Sequence, residues 1–174
     1  MYLVRQKGFD KPNAEHIDDF LKWAVSGVIL GGRIGYVLFY NFDDYIDHLV
    51  EIPKVWKGGM SFHGGVLGVI AAMIGFSVYK KIPLLRLSDL ICAAAPIGLF
   101  FGRIANFING ELYGRVTSHP FGMVFPHGGD LPRHPSQLYE ALSEGLLLFV
   151  ILFALTRLRV KTGVVSGVFL CGYG

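Results

Sequence analysis

From Leu21 onward the chain alternates between long apolar runs and shorter polar segments. Residues 21–40, LKWAVSGVILGGRIGYVLFY, are long enough to cross a bilayer as a helix, which takes about 20 apolar residues. Gly27, Gly31 and Gly35 recur in it at i, i+4 and i+8, the small-residue spacing that lets helices approach closely. A second span is expected over residues 60–79, again with two glycines four apart, Gly64 and Gly68. A third covers 85–103, with Pro96 as a kink point, and a fourth covers 137–156. A fifth apolar run, 163–174, stops well short of a span. Between these, residues 5–22 are polar with an amphipathic start near Asn13 to Asp19. Residues 41–59 are polar and partly amphipathic, with Tyr40, Phe42 and Tyr45 as an aromatic belt. Residues 104–135 are rich in Gly, Pro and His, lack helical periodicity, and read as a structured loop or cap.

Composition agrees with that pattern. Of 174 residues, 52% are hydrophobic and 17% charged, and mean hydropathy is +0.48. A soluble domain usually carries about a quarter charged residues. The expected fold class is therefore all-α: a polytopic membrane helical bundle, one transmembrane domain over 1–174. Cys92 and Cys171 lie inside apolar runs, so no disulfide framework is implied. CxxC and Cys/His metal spacings are absent. MYLV is too short for a signal peptide or a span and reads as the last turn of a longer helix. With the broken fifth span, this reads as a fragment lacking both ends.

Charge sets the orientation. Alternating spans put residues 1–20, 80–86 and 157–161 on one side, and that side holds nine of the sixteen Lys and Arg. The positive-inside rule places it in the cytoplasm. The acidic 43–51 loop and the segment 103–135 with its polar cluster then face outward.

The polar side chains within apolar surroundings fall on that outward side. In FGRIANFINGELYGR (101–115), a helix would put Arg103, Asn106 and Gly110 within about 60° on one face, with Glu111 about 80° to the other side. Polar groups at bilayer depth are costly unless they face protein, water or a polar ligand, so function is the default reading. The alternative is an interfacial Arg snorkelling to headgroups beside an ordinary helix end. His63 sits between two Gly pairs at the outward end of the second span, where an imidazole suits proton transfer or simply lies in an interfacial loop. Arg33, about two turns from the outer end of its span, reaches an anion or carboxylate, or snorkels. In PRHPSQLYE (132–140), Ser136 is expected as a helix cap, and Gln137 and Glu140, one turn apart, as partners for Arg groups. Several arginines at one membrane face suit an anionic headgroup, most simply a phosphate. GxSxG, HExxH and Walker A motifs are absent. No internal Ser or Cys sits beside a base, so the nucleophile is expected to come with the substrate.

Four blocks, GGRIGYVLFYN (31–41), GGMSFHGG (58–65), GRIANFINGELYGRVT (102–117) and LPRHPSQLYEA (131–141), closely resemble bacterial prolipoprotein diacylglyceryl transferases. They stand in the family's order at compatible spacings, with Ala105 where the family usually has glycine. The family has seven spans, so a tyrosine near its N-terminus and an arginine beyond its sixth span have no match here. The resemblance implies transfer of a diacylglyceryl group from phosphatidylglycerol to the lipobox cysteine thiol of a prolipoprotein signal peptide. A thioether forms and glycerol 1-phosphate leaves, in the bacterial inner membrane, without a cofactor and without nucleic acid. His63, Arg103 and Glu111 would then be catalytic, with Glu111 orienting Arg103 or Arg115. Arg33, Asn106, Asn109, Gly110, Gly114, Arg115, Gln137 and Tyr139 would bind substrate, Gly110 and Gly114 by permitting close approach. The alternative is a transporter or structural subunit with an anion-binding outer face. The uncharged middles of 66–78 and 145–155 argue against an ion path.

Overall fold

A computed structural model describes residues 12–158 and 160–174. MYLV, the polar residues up to Lys11, and Arg159 of the basic loop lie outside the described residues. The chain divides into two compact units, Met1–Leu87 and Ser88–Gly174.

In the first unit, helix α1 (Ala14–Tyr40) begins earlier than the apolar run because Asn13 closes a capping box. The Asn13 side-chain oxygen accepts from the His16 N–H at 2.9 Å, and the Asn13 N–H donates to His16 Nδ1 at 3.1 Å. After α1 come the short helix α2 (Phe42–Asp47), two 3₁₀ turns (Leu49–Glu51 and Val55–Lys57) and helix α3 (Phe62–Lys80). The Ser61 hydroxyl caps α3, accepting from the Gly64 N–H at 3.2 Å.

Helices α1 and α3 form an antiparallel pair whose seam is glycine. A Cβ placed on Gly68 would stand 1.9 Å from the Gly27 carbonyl oxygen, and one on Gly31 would stand 2.3 Å from that of Gly64. Only hydrogen fits at that seam, the predicted use of the i, i+4, i+8 spacing. Toward the other end the seam widens around aromatic rings, with Phe76 edge-on to Phe20 at 5.5 Å and to Trp23 at 5.8 Å. Lys80 Nζ meets Asp19 at 2.7 Å beyond them.

The second unit holds all but the first turn of helix α4 (Leu84–Asn109), which runs on through Pro96. It also holds a long helix, Ser136–Arg157, made of α5 (Ser136–Glu140), a π-helical stretch (Ala141–Leu147) and α6 (Leu148–Arg157), and a last helix α7 (Val164–Tyr173). The extra residue per turn in a π stretch is uncommon and gathers at functional sites. Gly145 lets this helix lie against α4: a Cβ there would be 2.7 Å from Phe100 Cβ. Asp89, buried in α4, caps α7 from outside its own helix. Its carboxylate accepts from the N–H of Gly163 at 2.8 Å, the N–H of Ser166 at 2.9 Å and the Ser166 hydroxyl at 2.7 Å.

Residues 110–135 form the irregular cap. Two isolated bridges, Val116 and Met123 each with Arg133, stand in for a sheet. Phe125 is buried against the Tyr113 ring, stacked at 5.3 Å. Among the described residues, Glu15–Tyr40, Phe62–Lys80, Leu84–Asn109 and Ser136–Arg157 are long and apolar enough to cross a membrane. The chain is a multi-pass, all-α membrane protein, as the hydropathy pattern predicts.

The seam makes a checkable contrast. Gly68→Ala should cost about 1–3 kcal/mol of stability and lower the unfolding temperature in detergent. Gly65→Ala on the same helix, whose added Cβ would meet nothing nearer than 3.8 Å, should leave it unchanged or slightly higher.

Candidate functional site

Both units carry polar side chains near the ends of apolar helices. In the first unit, Arg33, expected to reach an anion or a carboxylate, meets backbone carbonyls among the described residues. It is 4% exposed and donates to four backbone carbonyls. Nε reaches Ile52 at 2.7 Å, Nη1 reaches Gly58 at 2.7 Å and Gly59 at 3.2 Å, and Nη2 reaches Glu51 at 2.8 Å. Its guanidinium also lies over the Tyr45 ring at 5.1 Å. The planar fork with five donors is matched to carbonyls that would otherwise be orphaned in the loop before α3. Arg33 is therefore a clamp on residues 51–59.

On the same loop, the Glu51 carboxylate meets Lys54 and, at 2.5 Å, Lys57. Hydrogen bonds from Lys54 first and Lys57 second hold its carboxyl down at about 2. His63 stands exposed at the start of α3, with the Phe62 ring edge-on at 5.7 Å. A groove of about 780 Å³ runs along α1 and α3, lined by small and aliphatic residues, with His63 and Ser61 toward one end and Lys22 toward the other.

In the second unit, α4 runs past the predicted end of its span to Asn109 and stops in a Schellman turn. The Glu111 N–H donates to the Asn106 carbonyl at 3.0 Å, and the Gly110 N–H to that of Phe107 at 3.1 Å. Gly110 takes φ +67°, and a Cβ there would also press on Pro126 Cδ at 3.2 Å. Glu111 is thus off the helix, and no ion pair joins it to Arg103 or Arg115 among the described residues. Its carboxylate accepts from Asn109 Nδ2 at 3.0 Å, and its carbonyl accepts from Gln137 Nε2 at 2.6 Å. At Gly110 and Gly114, expected to permit close approach of substrate, the chain itself also comes close. A Cβ on Gly114 would lie 3.0 Å from both His134 Cβ and the His134 carbonyl oxygen.

Arg103 instead meets carboxylates from the facing helix. Its Nε lies 2.8 Å from Glu140 Oε2 and its Nη2 3.8 Å from Glu144 Oε2. Glu140 was expected to pair with an arginine; Glu144 was not singled out. The signal available for it was the spacing of four from Glu140 along one helix. Gln137, the other expected partner of an arginine, is fully buried and bonds backbone, while its Oε1 accepts no hydrogen bond among the described residues. Ser136 does not cap its helix, because its hydroxyl donates to the Leu112 carbonyl at 3.0 Å and Pro135 holds the cap position. Tyr139 is half-exposed, its hydroxyl 3.4 Å from His134 Nδ1. Asn106 is half-buried one turn beyond Arg103, and Arg115 is exposed on the cap. Arg133, which sequence reasoning left without a role, organises the cap by donating to Gly128 at 2.9 Å and covering the Tyr113 ring at 5.1 Å. Among the described residues, no three His, Cys, Asp or Glu side chains come together as a metal site would require.

The second unit thus offers a half-buried guanidinium, amides and an exposed second arginine near the end of a membrane helix, groups suited to a phosphate ester. A family model described as prolipoprotein diacylglyceryl transferase matches residues 1–174. A phosphatidylglycerol–prolipoprotein diacylglyceryl transferase of Paramagnetospirillum magneticum is 60% identical over 170 residues, which cover 94% of this chain and 63% of that protein. The protein of that name from Rhodopseudomonas palustris is 55% identical over 181 residues, covering 100% of this chain and 63% of its own. The one from Rhodospirillum rubrum is 56% identical over 162 residues, covering 91% and 59%. The chain spans about three fifths of the length of these curated relatives.

Two outcomes follow for the first unit. Arg33→Lys keeps the charge but loses the fork, so residues 51–59 should open to protease at a local cost of roughly 2–3 kcal/mol, read as faster nicking beside an intact α1. The Glu51 pair should hold in full above about 4.5 and fade as pH falls toward about 2, because the folded carboxyl is depressed from 4.5. Emission from neighbouring Trp56 should report a midpoint near 2, lost in Glu51→Gln.

Proposed function

The chain belongs to the prolipoprotein diacylglyceryl transferase family, and on that footing we propose that the whole protein moves the diacylglyceryl group of phosphatidylglycerol onto the lipobox cysteine of a prolipoprotein. The thiolate sulfur attacks the glycerol carbon that carries the phosphate. The carbon–sulfur bond forms as the carbon–oxygen bond breaks, and the pair of electrons leaves with glycerol 1-phosphate. The observation that carries this reading is Arg103, a half-buried cation at the end of a membrane helix within a chain matched to that family over its whole length.

Charge grows on the phosphate oxygen as the carbon–oxygen bond breaks. Arg103 meets that charge, and in water-poor surroundings one such contact is worth about 3 kcal/mol of barrier. Asn106 and Asn109 donate to the glycerol or phosphate oxygens. Glu111 serves through Asn109, which it holds. Arg115 and Tyr139 add donors on the cap side. A cysteine thiol ordinarily loses its proton near pH 8.5, so a proton acceptor helps, and His63 is assigned that role. Arg33 acts by fixing the loop before α3, and Gln137 by fixing the turn after α4. The apolar groove beside His63 suits an aliphatic chain. Loop charge supports a site at the outer leaflet of the bacterial plasma membrane.

The test uses the full-length enzyme at matched protein levels, with thioether-linked glycerol on a lipobox peptide as readout. Arg103→Ala should lose about a hundredfold or more in rate; an undiminished rate would remove the phosphate role. His63→Gln should lower the rate and flatten its rise with pH. If both are unaltered, proton acceptance lies elsewhere.

A further inference from the structure

Arg103 sits opposite two carboxylates, and their arrangement is asymmetric. Glu140 Oε2 lies 2.8 Å from Nε, a close ion pair on that side of the guanidinium. Glu144 Oε2, 3.8 Å from Nη2, is near enough for attraction but too far for a hydrogen bond, and this oxygen is buried with no hydrogen bond among the described residues. Nη1 makes no hydrogen bond among the described residues either. Among the described residues the guanidinium meets carboxylates along one edge, and its Nη1 edge makes no hydrogen bond or ion pair.

The backbone fixes this geometry. Glu140 closes α5, and Glu144 lies in the π-helical stretch, so both carboxylates come from the point where the helix changes winding. Gly145 in that stretch packs on Phe100, one turn before Arg103. The helix carrying the carboxylates is thereby held at contact distance from the helix carrying the cation.

We infer that Glu140, assisted by Glu144, is a positioning residue that pins Arg103 by its Nε edge and turns the Nη1 edge toward the substrate phosphate. This rests on the phosphate role of Arg103 given above. Two carboxylates beside one guanidinium also repel an incoming phosphate diester, so the arrangement trades ground-state binding for orientation. That trade has a kinetic signature that a merely structural contact lacks.

In full-length enzyme, Glu140→Gln keeps the shape and removes the charge. It should lower kcat by about tenfold to a hundredfold, the scale of a small misplacement of a reacting group, while KM for phosphatidylglycerol stays level or falls. Glu144→Gln should do the same more weakly. In an Arg103→Lys background, whose compact ammonium has no edge to pin, Glu140→Gln should add little further loss. Unfolding temperatures in detergent report that the variants remain folded. An unchanged kcat in Glu140→Gln, a rise in KM alone, or the same fold-loss with and without Arg103 would overturn the positioning role and leave the phosphate role standing. Full activity in Arg103→Ala would overturn both.

Discussion

A guanidinium taken out of water has five N–H groups to satisfy, and two arginines of this chain meet that constraint in opposite ways. Arg33 spends its donors on the carbonyls of Glu51, Ile52, Gly58 and Gly59. The result is a neutral-partner clamp that leaves the charge diffuse and the loop before α3 fixed. Arg103 is held by carboxylates along one edge only. The first arrangement is closed and serves architecture. The second leaves part of its donor set unmatched among the described residues, as the proposed phosphate contact requires. Sequence position alone does not separate them, since both lie within the last third of an apolar helix.

The same economy of space and donors shapes the helices. Glycine at the α1–α3 seam removes every side-chain atom between two backbones. Glycine at 110 ends α4 by leaving the right-handed region, and the carbonyls freed there are met by the next two N–H groups. One residue type, placed by different needs, both joins helices and stops them.

Much of the fold was legible in the sequence, because a membrane span announces itself by length and apolar content alone. The small-residue spacing at 27, 31 and 35 named its own contact. What escaped detection was of two kinds. Partners that are backbone carbonyls carry no side-chain signature, so the clamp formed by Arg33 had nothing to reveal it. The span drawn to 103 ended too early, since the helix runs to Asn109. Placing Glu111 on the same wheel ignored Gly110 as a stop, and so its carboxylate was assigned to Arg103 or Arg115, whereas it accepts from Asn109. Glu140 was readable as a partner for an arginine, and Glu144 was not, because a change of winding inside an apolar helix leaves no mark in hydropathy. The family resemblance came from four contiguous blocks, which local distortions of this kind do not disturb.

The cap that Asp89 places on α7 joins residues 74 positions apart in the chain. Chains enter a membrane in order, from the first residue made to the last. When α4 is threaded into lipid, the N–H groups of Gly163 and Ser166 that its carboxyl group will hold have not yet been synthesised. The final arrangement of this helix therefore waits on translation of a later one, which makes assembly of the second unit a matter of timing as well as of energy.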